Sequence, residues 1–411
     1  MAAPKVLVMI LAGGEGKRLL PLTNDRAKPA VPFGGNYRLI DFVLSNFANA
    51  QYTRIVVLTQ YKSHSLDLHI SRTWRFSTLL GSYVSSVPAQ MRNGPKWFSG
   101  SADAIFQNLN LITDERPDIV CVFGADHIYR MDPSQMVEYH MSHDRGCTVA
   151  AIPVTTQEAT AFGVIEADDE MNVRRFWEKP EEPPTMPGSD SMSLASMGNY
   201  VFDTQTLIDA VTPGRLTGLP HDIGGDLMPE LAEAGHTKVY DFSTNLVPGQ
   251  EERERGYWRD VGTIDAYYDA NMDLVSSVPV FSLYNTEWQV FTHSPPLPPA
   301  KLSRGGSGRL PEVSDTLVGA SAIVSGAVAS GSIVGPGCFV GEATLDGAIL
   351  LPEVTVGAGA QLRRCVIDKN VVVPAGARVG HDHEFDVARG LTVSSHGITV
   401  VPKGYEFTEE P

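Results

Sequence analysis

The 411-residue sequence has little cysteine, no run of basic residues and no long apolar segment. Its four cysteines form no CxxC pair, which excludes a disulfide framework and a cysteine-rich metal site. The formal net charge of −16 is unfavourable for binding nucleic acids or anionic membranes. The apolar run at residues 6–11 is too short for a signal-peptide core or a membrane span. We therefore expect a cytoplasmic protein without nucleic-acid or membrane partners.

Short apolar runs alternate with amphipathic segments over roughly the first two thirds of the chain. The clearest strand patterns cover residues 5–11, 54–59, 119–123 and 148–153, and helical spacing covers 40–48 and 101–112. This alternation predicts an α/β, Rossmann-like domain with a mostly parallel sheet over residues 1–280. Ligands of such sheets bind at the carboxyl ends of the strands, so we expect the polar loops there to hold the substrate.

The composition changes after this domain. Residues 281–312 contain a stretch rich in proline, glycine and serine without apolar periodicity, which predicts a linker. Beyond it, apolar residues recur at intervals of six, and the intervals slip between series, which predicts loops at corners. These residues are Val318, Val324, Val328, Val334, Val340, Leu350, Val356, Leu362, Ile367, Val373 and Val379. We expect a left-handed parallel β-helix over residues 313–411, with a Gly/Val-rich sandwich as the alternative.

The strongest chemical signal is the segment LAGGEGKRL, directly after the first strand pattern. Its glycines allow successive backbone N–H groups to approach an anion, because no Cβ blocks the way. Arg18 follows Lys17 where a Walker A loop needs Ser or Thr, and Leu19 replaces the third glycine of a dinucleotide-binding loop. Taken alone, the segment predicts either a phosphate site or a tight turn.

Two cations and two acids extend this signal. Arg18 and Lys28 flank the loop, and prolines after Lys28 restrict its backbone, so the two cations suit a triphosphate and a pyrophosphate leaving group. Asp126 in GADHIY and Asp260 in YWRDVGT are candidates for Mg²⁺ binding, since Mg²⁺ is held by one or two carboxylates plus phosphate oxygens. Either aspartate is also suited to capping a helix or turn, and spacing does not show whether the two meet.

The segment FWEKP and its neighbours AFGVI and SLASMG form a third candidate site. Lys179 is suited to a sugar phosphate, and Glu178, Ser196 and the backbone at Gly163 are suited to sugar hydroxyls. The alternative is a surface ion pair beside an ordinary loop.

Six motifs carry a resemblance to a known family: LAGGEGKRL, RAKPAVPFGG, GADHIY, SLASMG, YWRDVGT and LRRCVID. Through them the chain resembles the bacterial ADP-glucose pyrophosphorylases over essentially its whole length. The resemblance implies ATP and α-D-glucose 1-phosphate as substrates, pyrophosphate as a product, Mg²⁺ as the cofactor and a role in glycogen synthesis. It also implies a homotetramer that is controlled by metabolite effectors.

The resemblance assigns a role to each matching residue. Nucleotide binding falls to Leu11, Ala12, Gly13, Gly14, Gln90 and Gly100, catalysis to Arg18, Lys28 and Asp126, and the metal to Asp126 and Asp260. The sugar phosphate falls to Gly163, Glu178, Lys179 and Ser196, and an activator to Arg26, Arg38, Arg363 and Arg364. Asp25 and Pro32 depart from the enterobacterial pattern, which favours an activator other than fructose 1,6-bisphosphate. The alternatives are a transferase for UTP, dTTP or GTP, or a non-catalytic regulatory subunit.

Overall fold

The computed structural model describes residues 4–90, 97–212 and 221–407. Its centre is the strand Val6–Ala12, which pairs in parallel with Arg54–Thr59 on one side and Ile119–Gly124 on the other. These strands are almost entirely buried, as their unbroken apolar runs require for a sheet covered on both faces. The strand patterns predicted at residues 5–11, 54–59 and 119–123 are therefore confirmed.

The N-terminal sheet grows outward from this centre. Its hydrogen-bonded order is Val173–Glu178, Gly163–Ala167, Met192–Asp203, Ile119–Gly124, Val6–Ala12, Arg54–Thr59 and Tyr83–Pro88, and Cys147–Thr155 joins Met192–Asp203 to Thr237–Asp241. Met192–Asp203 runs antiparallel to three strands, whereas the four strands from Ile119–Gly124 to Tyr83–Pro88 are parallel. The carboxyl ends of the parallel strands thus share one edge of the sheet.

Helices cover both faces of this sheet. The α-helices of the N-terminal part in the described residues are Leu39–Asn49, His64–Thr73, Ser101–Phe106, Leu109–Glu115, Pro133–Met141, Thr156–Ala159, Thr204–Val211, Met228–Glu233 and Ile264–Val275, and a further α-helix, His383–Ala388, lies in the C-terminal part. The single helix predicted at 101–112 is wrong, because the segment breaks near Asn108. The Asn108 side chain donates to the Ala104 carbonyl at 2.8 Å and so competes with the helical backbone.

The C-terminal part is a parallel β-helix. Its strands are Lys301–Ser303, Glu312–Ser314, Leu317–Val318, Ile323–Ser325, Val328–Ser330, Ile333–Val334, Phe339–Val340, Thr344–Leu350, Thr355–Val356, Gln361–Ile367, Val372–Val373, Arg378–Val379, Thr392–Val393 and Thr399–Val401. Most parallel partners lie 16 or 17 residues apart along the chain, as in Val324 with Val340 and Val356 with Val373. The predicted period of six is correct for the longer sides of each coil. Ala329 takes the inward position predicted for Val328, because some sides have only five residues.

The segment between the two parts packs along the N-terminal domain before it enters the β-helix. Asn49 Nδ2 donates to the Gln289 carbonyl at 2.9 Å, and Thr292 Oγ1 donates to Asp41 at 2.7 Å. Within the predicted linker, Lys301–Ser303 already pairs in parallel with Ile323–Ser325. The first coil therefore begins inside that stretch.

The two parts share an apolar interface around the helix Ile264–Val275. Tyr267 and Tyr268 pack in one buried cluster with Leu351 and Val366 of the β-helix. The Tyr268 hydroxyl also donates to the Gly347 carbonyl at 2.7 Å. This helix begins four residues after Asp260, so the packing of the β-helix reaches close to a predicted site residue. Over the described ranges, no helix combines the length and apolarity needed to cross a bilayer.

Candidate active site

The carboxyl ends of the central strands open into a cleft of about 600 Å³. Of the residues predicted from the sequence, Leu11, Gly13, Gly14, Gly100, Asp126, Gly163, Glu178, Ser196 and Asp260 line it. Its position agrees with the general rule for parallel sheets. The cleft therefore gathers loops from distant parts of the chain, and its volume suits a small-molecule substrate.

The glycine loop combines a turn with an open backbone. Gly16 has a φ of 67°, which glycine adopts without a Cβ penalty, and it starts the short helical turn Lys17–Leu19. The Thr23 hydroxyl fixes this turn by donating to the Gly16 carbonyl at 2.9 Å. In contrast, a Cβ built at Gly14 meets no atom within 4 Å, so that part of the loop is open to a ligand. One segment can therefore form a tight turn at Gly16 and still leave the backbone at Gly14 open to an anion.

Lys28, Asp126 and Asp260, hereafter the Lys28 cluster, meet at the mouth of the loop. Lys28 Nζ lies 2.8 Å from Asp126 Oδ2 and 3.3 Å from Asp260 Oδ1. Burial would lower the pKa of Lys28, but the two carboxylates outweigh it and the pKa is raised. Burial likewise acts to raise the pKa of Asp126, but the charges of Lys28 and His127 bring it well below its usual range. Lys28 and Asp126 are therefore ionised at neutral pH.

A short two-stranded ladder brings the two aspartates together. Trp258–Asp260 runs antiparallel to His127–Tyr129, with Asp260 opposite His127. Asp126 comes immediately before this ladder, so it lies beside Asp260 although 134 residues separate them in sequence. Sequence spacing alone does not predict this pairing.

The donor set of the site fits a divalent cation. Asp126, His127 and Asp260 each offer a ligand atom, and these atoms lie within 4.8 Å of one another. The carboxylates are the oxygen ligands that hard divalent cations prefer. His127 Nδ1 is buried without a hydrogen-bond partner, and its ring packs 5.0 Å from that of Trp258. The sequence analysis missed His127, although it stands next to Asp126 in GADHIY.

Arg18 is exposed but extends toward the same place. A Cβ built at Gly262 would lie 3.0 Å from Arg18 Nη2 and 2.9 Å from Asp260 Oδ2. Gly262 therefore borders both groups, and a larger residue there would displace one of them. The structure thus brings together four of the predicted residues: Arg18, Lys28, Asp126 and Asp260.

The predicted sugar residues lie on another wall of the cleft. Gly163 pairs with Glu178, and a Cβ on Gly163 would come 2.8 Å from the Phe176 ring, so only glycine fits there. Lys179 Nζ donates to Glu178 at 2.5 Å, and Lys179 has a φ of 46°. Ser196 accepts from the Gly198 N–H at 3.3 Å. Lys179 is exposed and lies outside the lining residues, although it is adjacent to Glu178, which lines the cleft.

Two side chains that the sequence analysis missed support the wall of the cleft that contains Gly100. Gln60 forms a paired contact with Phe98, donating to its carbonyl at 3.2 Å and accepting from its N–H at 2.6 Å. Asp222 accepts from the Ser101 hydroxyl at 2.8 Å and caps a turn through the Gly225 N–H. Both contacts hold the 97–101 segment, including Gly100, at the cleft. No motif in the sequence indicates either contact.

The remaining predicted residues lie in other surroundings. Ala12 is buried at the end of its strand, and Gln90 is exposed directly before residues 91–96, outside the cleft lining. Arg26 is 3% exposed and binds both oxygens of Asp368 at 2.9 Å. Arg38 Nη1 donates to the Ser65 carbonyl at 2.8 Å.

Arg363 and Arg364 lie in the β-helix. Arg363 is 3.5 Å from Asp346, and Arg364 lies over the Tyr268 ring at 5.6 Å. The four arginines predicted to bind an activator thus have different partners. Burial lowers the pKa of Arg38, and the charge of Arg26 lowers it further, so these two arginines are neighbours.

Comparison with known proteins identifies both parts of the chain. Residues 7–277 match the Nucleotidyl transferase family, and residues 298–401 match the GlmU-like C-terminal hexapeptide family, consistent with a left-handed β-helix. A glucose-1-phosphate adenylyltransferase of Frankia casuarinae is 56% identical over 100% of both chains. Those of Cutibacterium acnes and Corynebacterium jeikeium are 55% and 54% identical, covering 98% and 97% of this chain and 98% of each relative.

Proposed function

Since the chain belongs to the glucose-1-phosphate adenylyltransferase family, with relatives more than half identical over nearly its whole length, we propose that it transfers the adenylyl group of ATP to α-D-glucose 1-phosphate. The products are ADP-glucose and pyrophosphate, and ADP-glucose supplies glycogen-type α-glucan synthesis. One structural observation supports this most: two carboxylates and a buried lysine meet beside an open glycine loop, as a metal-bound triphosphate requires.

The reaction needs no protein nucleophile. A phosphate oxygen of glucose 1-phosphate attacks the α-phosphorus of ATP, and the bond from that phosphorus to the pyrophosphate oxygen breaks. Arg18 and Lys28 neutralise charge on the triphosphate and the departing pyrophosphate, and the backbone around Gly13 and Gly14 binds phosphate oxygens. The protein thus acts by alignment and preorganised positive charge.

We assign Asp126 and Asp260 as the residues that hold Mg²⁺. A bound Mg²⁺ would supply positive charge that offsets the negative charge of the phosphate oxygens. Lys28 lies between the two carboxylates, and its side chain is long enough to reach phosphates bound beside the glycine loop. Transferases of this family generally use a divalent metal, and the paired oxygen ligands favour Mg²⁺ among these ions.

The opposite wall is assigned to the sugar phosphate. Glu178 and Ser196 face the cleft and offer acceptors and a donor to sugar hydroxyls, and Gly163 leaves its backbone accessible. Lys179 is paired with Glu178 and exposed, so it is free to exchange this partner for a phosphate. Gln90 and Gly100 are assigned to the adenine side, where Gly100 lines the cleft.

A turnover assay tests the proposal. Purified protein is incubated with glucose 1-phosphate and ATP, UTP, dTTP or GTP, and released pyrophosphate is measured. We expect ATP to be strongly preferred. A clear preference for UTP would contradict the adenylyl assignment, and no turnover with any nucleotide would favour a non-catalytic regulatory subunit.

We further propose that metabolite effectors bind near Arg26 and Arg38, between the two parts. Burial lowers the pKa of Lys369, and the charges of Arg26 and Arg38 lower it further, which supports a positive patch suited to a phosphorylated or carboxylated metabolite. Asp25 pairs with Lys403 at 2.9 Å, so part of this charge is already neutralised. Substituting Lys369→Gln should weaken activation by sugar phosphates or three-carbon acid phosphates without changing basal turnover.

The homotetramer is also a proposal. On one side of the β-helix, Ile323, Phe339, Thr355 and Val372 stand in register on successive coils, and the three apolar members are 37%, 43% and 63% exposed. Such an apolar ladder supports self-association. Phe339→Asp should shift the sedimentation coefficient toward a smaller species; an unchanged coefficient would remove this ladder from the interface. The four cysteines are buried and form no disulfide bond. We propose a cytoplasmic location.

A further inference from the structure

A buried ion pair closes the end of the ladder opposite the Lys28 cluster. Asp260 stands opposite His127 at one end, and Trp258 stands opposite Tyr129 at the other. Arg130 follows directly, and its guanidinium donates to the carboxylate of Glu254. The two residues are only 3% and 2% exposed, so the pair is almost fully removed from solvent.

The pair joins three segments. Arg130 Nη2 also donates to the Ser282 carbonyl at 2.8 Å, and the guanidinium lies 4.7 Å above the Phe281 ring. Glu254 ends a short helical turn, and its carbonyl accepts from the Tyr257 N–H at 3.0 Å. The turn that leads into the strand Trp258–Asp260 is therefore anchored through one carboxylate.

The ladder depends on such an anchor because it is short. It contains only three residue pairs, and two-stranded pairings of this size are marginal in isolation. A slip of one residue would move Asp260 to the other face of the strand. At the catalytic end, the only charged contacts of Asp126 and Asp260 within the described residues are those with Lys28 and His127.

We propose that Arg130 and Glu254 are positioning residues for the divalent-cation site. The inference rests on the proposed role of Asp126 and Asp260 as metal ligands. Arg130 comes four residues after Asp126, and Glu254 comes six residues before Asp260. Neither lines the cleft, so both act through the ladder, by fixing its register and thereby the separation of the two carboxylates. Supporting groups of this kind typically change metal affinity about 10- to 100-fold.

The test measures Mn²⁺ binding by electron paramagnetic resonance, with the full chain and α,β-methylene ATP, which cannot transfer its adenylyl group. Glu254→Gln keeps the shape of the side chain but removes its charge, and we expect the Mn²⁺ Kd to rise about 10-fold or more. Arg130→Lys keeps the charge but loses the planar fork, so a smaller rise is expected. In steady-state assays, both variants should need more metal and should recover part of kcat at saturating Mn²⁺.

Two controls separate the possible outcomes. Asp386 is 1% exposed and paired with Arg389 in the β-helix, so Asp386→Asn removes the charge of another buried carboxylate outside the ladder. It should lower the melting temperature but leave the Mn²⁺ Kd unchanged. Asp260→Asn should weaken Mn²⁺ binding most. If it does so while Glu254→Gln and Arg130→Lys bind like the wild type, the positioning role is overturned. If Asp260→Asn itself binds normally, the proposed metal site is wrong.

Discussion

Arg26 and Lys28 are two residues apart, and each is a buried cationic side chain paired with carboxylate, but their surroundings differ. Arg26 binds the two oxygens of one carboxylate, Asp368, and both side chains are at most 3% exposed. Lys28 lies between two carboxylates whose side chains are 35% and 23% exposed. One site is closed and balanced in charge, and the other is partly open with one negative charge in excess.

The difference teaches how one loop serves two purposes. A buried pair that is balanced in charge ties the N-terminal domain to the β-helix, because Arg26 Nη2 donates to both oxygens of Asp368. A cluster with excess negative charge at a cleft attracts a further cation, which is what a metal–triphosphate complex supplies. Pro29 directly follows Lys28 and restricts the backbone at this position. The number of carboxylate partners and their exposure, and not residue type alone, distinguish the structural side chain of Arg26 from the catalytic side chain proposed for Lys28.

The largest expected effect comes from the closed pair. Arg26→Met leaves the carboxylate of Asp368 buried without its guanidinium partner, so we expect a loss of about 3–5 kcal/mol in the free energy of unfolding. Denaturant unfolding followed by circular dichroism measures it. The double variant Arg26→Met with Asp368→Leu should recover most of the loss. A loss below about 1 kcal/mol in the single variant would show that the pair does not hold the two parts together.

The open cluster should respond in activity instead. Asp126→Ala removes a proposed metal ligand, so kcat should fall roughly 10²-fold or more while the protein remains folded. Steady-state kinetics with ATP and glucose 1-phosphate measures the fall. Near-normal turnover would remove Asp126 from the metal site.

Lys28→Gln sharpens the comparison further. Without the lysine, Asp126 and Asp260 repel each other, so Mg²⁺ should stabilise the variant more than the wild type, by about 1 kcal/mol at saturating ion. Thermal unfolding with and without Mg²⁺ measures this difference. Lys403→Gln breaks the exposed pair with Asp25 and is the matched control, with no expected change in Mg²⁺ stabilisation. Equal stabilisation in all three proteins would contradict the charge argument.

The smallest effect is that of pH. Because the pKa of Asp126 is lower in the folded protein, its ionised form stabilises the fold above the unfolded pKa near 4, and this contribution is lost as the pH falls through the folded value. The stability difference between wild type and Asp126→Asn should therefore be constant from about pH 6 to 8 and shrink below about pH 4. Urea unfolding across this range measures it. A difference that grows on acidification would have the wrong sign.

Much of the fold follows from local patterns. Unbroken apolar runs predict the central strands, and the spacing of Val334, Val340, Val356 and Val373 predicts the β-helix, because inward positions of each coil must be apolar. The five-residue sides were not predictable, since a small Ala329 fills its inward position without a strong hydrophobic signal. The break near Asn108 depends on one side-chain hydrogen bond, which periodicity does not reveal.

The site is less visible in the sequence. The glycines at 13, 14 and 16 and the motifs around Lys28, Asp126 and Asp260 are recognisable, but their convergence depends on the antiparallel ladder, which joins segments with no local signal for pairing. Asp222 and Gln60 act through contacts to loops far away in the chain. Arg26 illustrates the opposite case, because a basic residue predicted for an effector is engaged in a buried ion pair.

The position of the metal ion tests the central claim most directly. Crystals grown with Mn²⁺ and α,β-methylene ATP, with data collected near the manganese absorption edge, locate the ion by its anomalous scattering. We predict one strong peak about 2.1 Å from an oxygen of Asp126 and an oxygen of Asp260, with Lys28 turned toward the phosphates. A peak away from both carboxylates, with Lys28 still bound between them, would contradict the account.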